Sequence, residues 1–378
     1  MSSTTAQAAS ARSAEAWKDL LIIDVDVHVH ETPEALEPYC AKPWRYALEN
    51  LKQIPENYLD QPGFSPRADP MAPFPGGYDK RFVLEPRQMR RELDALSVDI
   101  GILFPDNLLR LALLPQTEYA VALAAAYNAW LIEQWADPAT GLLACVTAAP
   151  QDPKAAATEI RRYAGHPGVV GVYLPAAGVS PLWGHRMYDP IYEAAQEVGL
   201  PVLLHGAVVV HPVFPCQLEQ FDTYLARHTF GHTLGMMANL VSMVTTGVPV
   251  RFPDLRICFA EAGLTWVPFV AMRLDKEYNM RRRDVPFLTE RPSEYVKRMY
   301  FATQPVEEPR DLRKVEQIIE LFDGEDVCMF ASDWPHPDFD HPSRVARMLP
   351  SAELRAKVMG LNAQRFFALD EQGRRLGV

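Results

Sequence analysis

The residues in this chain that could do chemistry are few, and they fall at ligand spacing. Asp26-Val27-His28-Val29-His30 sets a carboxylate and two imidazoles at alternate positions. Residues at i, i+2 and i+4 of a strand share one face, so the three project together for as long as the strand persists. Carboxylate and imidazole oxygens and nitrogens suit a divalent metal such as Zn²⁺, Mn²⁺ or Fe²⁺. Three further ionisable residues close apolar runs: His205 after Pro201-Val202-Leu203-Leu204, Glu261 after the run 256–260, and Asp333 after Phe330-Ala331-Ser332. Taken singly, each has a plain alternative. His205 could be a hydrogen-bonded core histidine, Asp333 could start the turn into Trp334-Pro335, and Glu261 could brace a loop by pairing with an arginine such as Arg227. Taken together, they form a coherent set of strand-end groups.

What must position them is an alternation of short apolar runs with helical patterns. The runs are 21–29, 99–105, 142–148, 168–174, 200–205, 256–261, 298–303 and 328–333. They lack a clean period of two, as strands buried on both faces should. Helical patterns occupy 86–96, 118–135, 154–164, 190–198, 234–246, 266–279, 311–322 and 353–369. This order predicts an α/β fold, a TIM-like (β/α)8 barrel, in which every strand's C-terminal end opens onto one face where functional sites sit. Closure would bring the first strand beside the last, which an open sheet would not.

The 378 residues contain 37 Lys plus Arg against 48 Asp plus Glu, a formal net charge of −11. That balance argues against nucleic acid or an anionic membrane as the partner. No run reaches the roughly 18 apolar residues of a membrane span. Cys40, Cys145, Cys216, Cys258 and Cys328 are scattered without CxxC spacing, and Cys145, Cys258 and Cys328, inside apolar runs, read as reduced core residues of a cytoplasmic protein. Residues 1–14 are small and polar and read as a disordered leader, followed by one barrel domain over 15–378. The 33 prolines cluster at 33–86, 201–215 and 335–350. The long aromatic stretch 32–84, after the first strand, is expected to be a lid or a dimer contact.

Weaker candidates surround the set. Arg227, His228 and His232 lie in the excursion after the fifth run, where His232 and Arg227 could bind substrate or a second metal. His336, three residues past Asp333, is a candidate proton-transfer residue. Trp334 and Tyr173 could wall an aromatic substrate.

The motifs Ile23-Asp24-Val25-Asp26-Val27-His28, Val202-Leu203-Leu204-His205-Gly206, the stretch 247–263 ending Phe259-Ala260-Glu261-Ala262-Gly263, and Ala331-Ser332-Asp333-Trp334-Pro335-His336-Pro337-Asp338 resemble the amidohydrolase superfamily. Within it they look like the branch of aminocarboxymuconate semialdehyde, resorcylate and carboxyvanillate decarboxylases, over about 22–369. The resemblance implies a distorted barrel holding one divalent metal, Zn or Mn, on two side chains of the first strand, His205 and Asp333. The first-strand pair is Asp26 with His28 or His28 with His30; the frame Ile23-Asp24-Val25 favours the former and leaves His30 as an extra ligand.

The chain departs from that branch at the end of strand six. The characterised decarboxylases carry a catalytic histidine there, and this sequence has Glu261. A glutamate's ordinary pKa of about 4.3 must be raised by burial before it can act as an acid near neutrality.

The expected activity is non-oxidative decarboxylation of a small aromatic or unsaturated carboxylic acid, with Glu261, Asp333 and His336 as the acid–base groups. Hydrolysis of an amide, ester or lactone by metal-activated water is the first alternative. The surplus of ligands leaves room for a dinuclear iron or manganese oxygenase, and a non-catalytic barrel subunit is a further reading. A homodimer is the expected assembly, and a small carboxylate the expected partner.

Overall fold

The computed structural model describes residues 16–51, 85–207, 218–336, 338–370 and 372–376. The expected leader at 1–14 and the part of the insertion at 52–84 lie outside them. Eight parallel strands pair in sequence order: β1 (Ile23–Val29), β2 (Ile100–Pro105), β3 (Leu142–Thr147), β4 (Val169–Pro175), β5 (Val202–His205), β6 (Ile257–Ala260), β7 (Tyr300–Ala302) and β8 (Cys328–Met329). Helices α1 (Pro86–Ala95), α2 (Thr117–Gln134), α3 (Pro153–Tyr163), α4 (Asp189–Glu197), α5 (Tyr224–Thr245), α6 (Trp266–Arg281) and α7 (Lys314–Glu320) fill the crossovers, and α8 (Asn362–Phe367) follows the last strand. The (β/α)8 barrel expected from the alternation is the fold observed.

Every residue of every strand is buried, because helices cover the outer face and side chains fill the inside. Phe104, Phe259, Phe301 and Phe330 are among the largest fully buried side chains, each worth roughly 1.5–3 kcal/mol of burial.

Closure falls to the seam between β8 and β1. Val25 N donates to Phe330 O at 3.0 Å, Asp333 N to Asp26 O at 2.9 Å, and His28 N to Trp334 O at 2.7 Å. The buried Asp24 carboxylate adds side-chain bonds, accepting from Ser332 N at 2.9 Å and Ser332 Oγ at 2.5 Å. Asp26 N donates to the same carboxylate at 3.1 Å, so Asp24 ties both edges of the seam.

Two helices differ from the sequence reading. The pattern at 234–246 begins well upstream, at Tyr224, with Thr223 Oγ1 capping it by accepting from Ala226 N at 3.3 Å. Its first turns carry Arg227, His228, Gly231 and His232 instead of an apolar stripe, which hid the helix. Those residues therefore lie on α5 and not in a loop. The terminal helix at 353–369 breaks into Ala352–Ala356, a π turn at Lys357–Leu361, and α8. There Gly360 packs against the Leu21 carbonyl with no room for a Cβ.

Of the insertion, the helix Trp44–Leu51 lies against α2, with the Trp44 and Tyr119 rings 5.5 Å apart. No helix among the described residues is long and apolar enough to cross a membrane.

Replacing Asp24 with Ala strands the Ser332 and Asp26 donors in the core. Unfolding in urea is expected to show a loss of roughly 2–4 kcal/mol. A loss below about 0.5 kcal/mol would mean that the seam does not depend on Asp24.

Candidate metal centre

The barrel's C-terminal mouth gathers the strand-end groups. Asp26 and His28 project from β1, His205 ends β5, and Asp333 follows β8. Asp26 Oδ1 lies 2.8 Å from His205 Nε2 and 3.1 Å from His28 Nε2. Asp333 Oδ1 lies 3.1 Å from the same His28 Nε2. All four side chains are buried. Asp26, His28 and His205 form one group of potential ligand atoms within 4.8 Å of one another, and His28, Asp333 and His336 form another. The two groups share His28, so they describe one neighbourhood.

Each imidazole is oriented by a second contact. His28 Nδ1 sits 2.7 Å from Pro105 O, and His205 Nδ1 sits 2.8 Å from Gly206 O. A proton donated to these carbonyls turns each Nε2 toward the centre, where a bound metal would take the place of its proton. Asp333 Oδ2 accepts from Gln304 Nε2 at 3.1 Å, which aims Oδ1 inward.

Burial alone would raise the Asp26 pKa, but His205 and His28 outweigh it and hold the carboxyl at about 2. Burial and the nearby His336 pull His28 down, and the close carboxylates of Asp26 and Asp333 carry it up to about 9.

Backbone strain marks two of the strand ends. Glu261 and Asp333 hold φ of 58° and 64°, the left-handed region that costs a non-glycine residue about 1–3 kcal/mol.

Other expected residues sit around this core. β1 stops at Val29, so His30 leaves the shared face and places Nδ1 2.7 Å from Asp106 Oδ2. His336 stacks on His28 at 4.2 Å and lies between two carboxylates, Nδ1 2.6 Å from Asp333 Oδ1 and Nε2 3.2 Å from Asp106 Oδ1. Glu261 pairs with histidines and not with Arg227: its Oε2 is 3.2 Å from His205 Nδ1 and 3.1 Å from His232 Nδ1. Arg227 Nε donates to Leu218 O at 3.2 Å. Trp334 is buried edge-on to Phe339 at 4.9 Å and forms part of the seam. Tyr173 is also fully buried, its ring 6.1 Å from His205.

Sequence reasoning missed Asp106, Gln304 and Gly206. All three follow strands, directly after Pro105, Ala302-Thr303 and His205. The strand-end rule applied to every run, and not only to those ending in His or an acid, would have found them.

The fold and this cluster define a parallel α/β barrel with a buried cluster of carboxylates and imidazoles, potential metal ligands, at its C-terminal mouth. The chain belongs to the amidohydrolase family, whose model matches residues 25–369. γ-Resorcylate decarboxylase of Rhizobium radiobacter is 26% identical over 348 residues, covering 86% of this chain and 98% of that protein. The structure of 5-carboxyvanillate decarboxylase from Sphingomonas paucimobilis superposes with a TM-score of 0.71 at 23% identity, over 93% of this chain and 100% of that one. The 5-carboxyvanillate decarboxylase of Novosphingobium aromaticivorans, solved with manganese and 4-hydroxy-3-methoxy-5-nitrobenzoic acid, superposes with a TM-score of 0.70 at 21% identity, over 93% and 97%.

Asp26→Ala removes the carboxylate that lies between His28 and His205. Equilibrium dialysis is expected to show loss of manganese binding, with unfolding by urea close to that of the unaltered chain. Stoichiometric manganese on the variant would rule Asp26 out as a ligand.

Proposed function

We propose that this chain is a metal-dependent, non-oxidative decarboxylase of a small hydroxylated aromatic acid. The observation that carries the proposal is the convergence of Asp26, His28, His205 and Asp333. Among the described residues, Asp26 Oδ2 and His28 Nε2 are buried with no hydrogen-bond partner. Buried polar atoms without a partner cost stability, so their presence together at one point fits a bound cation. Two carboxylates and two imidazoles suit Mn²⁺ or Zn²⁺. The full-length similarity to γ-resorcylate decarboxylase and the manganese in a structural relative support the same reading.

When bound, the ion would act as a Lewis acid and template for a substrate carboxylate and its neighbouring hydroxyl. The chain's own residues supply the rest. Hydrogen bonds to Pro105 O and Gly206 O fix the imidazole tautomers, and Gln304 fixes Asp333. Exclusion of water follows from the burial of the four side chains. The net reaction takes up one proton at the ring carbon as CO₂ leaves. The mouth holds two imidazole–carboxylate pairs able to carry that proton, Asp333–His336 and Glu261–His232. A hydrolytic reading uses the same ligands and differs in the fate of the substrate.

Manganese-loaded protein is expected to release CO₂ from 2,6-dihydroxybenzoate or 5-carboxyvanillate, with the corresponding phenol as co-product, and to stop when EDTA is added. If neither acid loses CO₂ while aryl esters or lactones are cleaved, the decarboxylase reading is wrong and the hydrolytic one stands.

A further inference from the structure

We infer that His232, held by Glu261, is the group that delivers the proton to the substrate carbon. This rests on the decarboxylase reading above and assigns the acid that the reading leaves open. At the end of strand six this chain has Glu261, and helix α5 brings the His232 imidazole against it.

Several features build the pair. β6 ends at Ala260, and Glu261 turns its carboxylate inward from a left-handed backbone, with φ of 58°. Helix α5 crosses the mouth and is tied to the next residue by Thr233 Oγ1, which donates to Ala262 O at 3.1 Å. Gly206 leaves the gap through which the helix approaches. A Cβ there would lie 2.7 Å from Glu261 O and 3.2 Å from His232 Nδ1. Both His232 and Glu261 are buried, and Nδ1 and Oε2 stand 3.1 Å apart. Among the described residues neither atom has a hydrogen bond of good geometry, which leaves this pair poised and not locked.

The competing pair is less free. His336 has a carboxylate on each ring nitrogen, Asp333 at 2.6 Å and Asp106 at 3.2 Å, so it has no nitrogen left for a substrate. His232 engages Glu261 through Nδ1 alone, and its Nε2 lies on the opposite edge of the ring. The residues beside it, Ala176, Ala177, Ala207, Gly231 and Gly235, are all small. His205, which faces Asp26 through Nε2, contacts Glu261 through Nδ1 at 3.2 Å, so His232 is two contacts from the ligand cluster. Glu261 and His232 belong to neither group of potential metal ligands, which favours proton transfer over a second metal.

Four titratable groups face His232. They are Glu261 from strand six, Asp333 and Asp338 from the segment after β8, and His228 from its own helix with ring centroids 4.8 Å away. Burial lowers the His232 pKa, but the Glu261 carboxylate 3.1 Å away outweighs it and raises it above the ordinary value. Glu261 is the positioning residue of this pair.

In the step, the His232 Nε2–H bond breaks and its proton forms a C–H bond at the ring carbon that bears the carboxylate. The ring supplies the electron pair for that bond, pushed by the ortho oxygen. The C–CO₂ bond then breaks, its electrons restore the ring, CO₂ leaves, and neutral His232 regains a proton from water.

The test compares full-length manganese-loaded wild type, His232→Gln, Glu261→Gln and Glu261→Asp on 2,6-dihydroxybenzoate and 5-carboxyvanillate, with metal content measured for each. His232→Gln is expected to lower kcat by roughly 10²–10⁴ with KM little changed and metal content intact. In wild type, kcat should fall as pH rises through the raised pKa of His232. In Glu261→Gln that alkaline limb should move to lower pH, and Glu261→Asp should restore part of the shift. A purely structural role would lower kcat without moving the limb. Wild-type kcat in His232→Gln overturns this assignment alone. If His232→Gln fails to fold, the Glu261→Gln profile decides, and an unmoved limb overturns the assignment. A wild type that releases no CO₂ from either acid overturns the decarboxylase reading and this assignment with it.

Discussion

The bonds between Ser332 and Asp24, residues 308 positions apart in the chain, are the constraint on which the mouth of the barrel depends. β8 is only two residues long, too short to close the sheet by ladder bonds alone. The seam is completed by three backbone bonds and a buried carboxylate. Asp333 lies one residue beyond Ser332, and Asp26 two residues beyond Asp24. The interaction that shuts the barrel thus sets the distance between the first-strand and last-strand acids. A TIM barrel of this kind builds its site from strand ends, and here the closing contact and the site are parts of the same few residues.

A second constraint is electrostatic. Asp26, Asp333, Glu261 and Asp106 are acids in or beside a site with little access to water, and each has an imidazole at 3.2 Å or closer. Isolated buried charges are costly, so the alternation of acid and imidazole is what permits so many in one place. The same alternation separates roles. In the proposed scheme the imidazoles whose second nitrogen faces a backbone carbonyl, His28 and His205, are the ligands. His232, paired with Glu261, is the proton donor proposed above. His336, between two acids, braces Asp333. The left-handed backbone at Glu261 and Asp333 is the strain that turns these two side chains inward.

Much of this was legible in the residues. Strand ends were marked by the first ionisable residue after an apolar run, which placed His205, Glu261 and Asp333 on one face. The alternation with helical patterns carried the barrel. What the pattern could not carry was where β1 stops. Alternate spacing makes His30 equivalent to Asp26 and His28, and only termination at Val29 sends it to Asp106. Helix α5 was hidden because Arg227, His228, Gly231 and His232 interrupt the apolar period of its first turns. Pairing across the barrel was beyond reach as well. No spacing links Glu261 to a histidine on α5, since that contact depends on the missing side chain of Gly206.

The most direct test of this account is the position of the ion. Anomalous diffraction at the manganese edge, from crystals of manganese-loaded protein, locates it without reference to activity. The account predicts a single strong peak bounded by Asp26, His28, His205 and Asp333. A peak between His30, Asp106 and His336, or a second peak at Glu261 and His232, would contradict it.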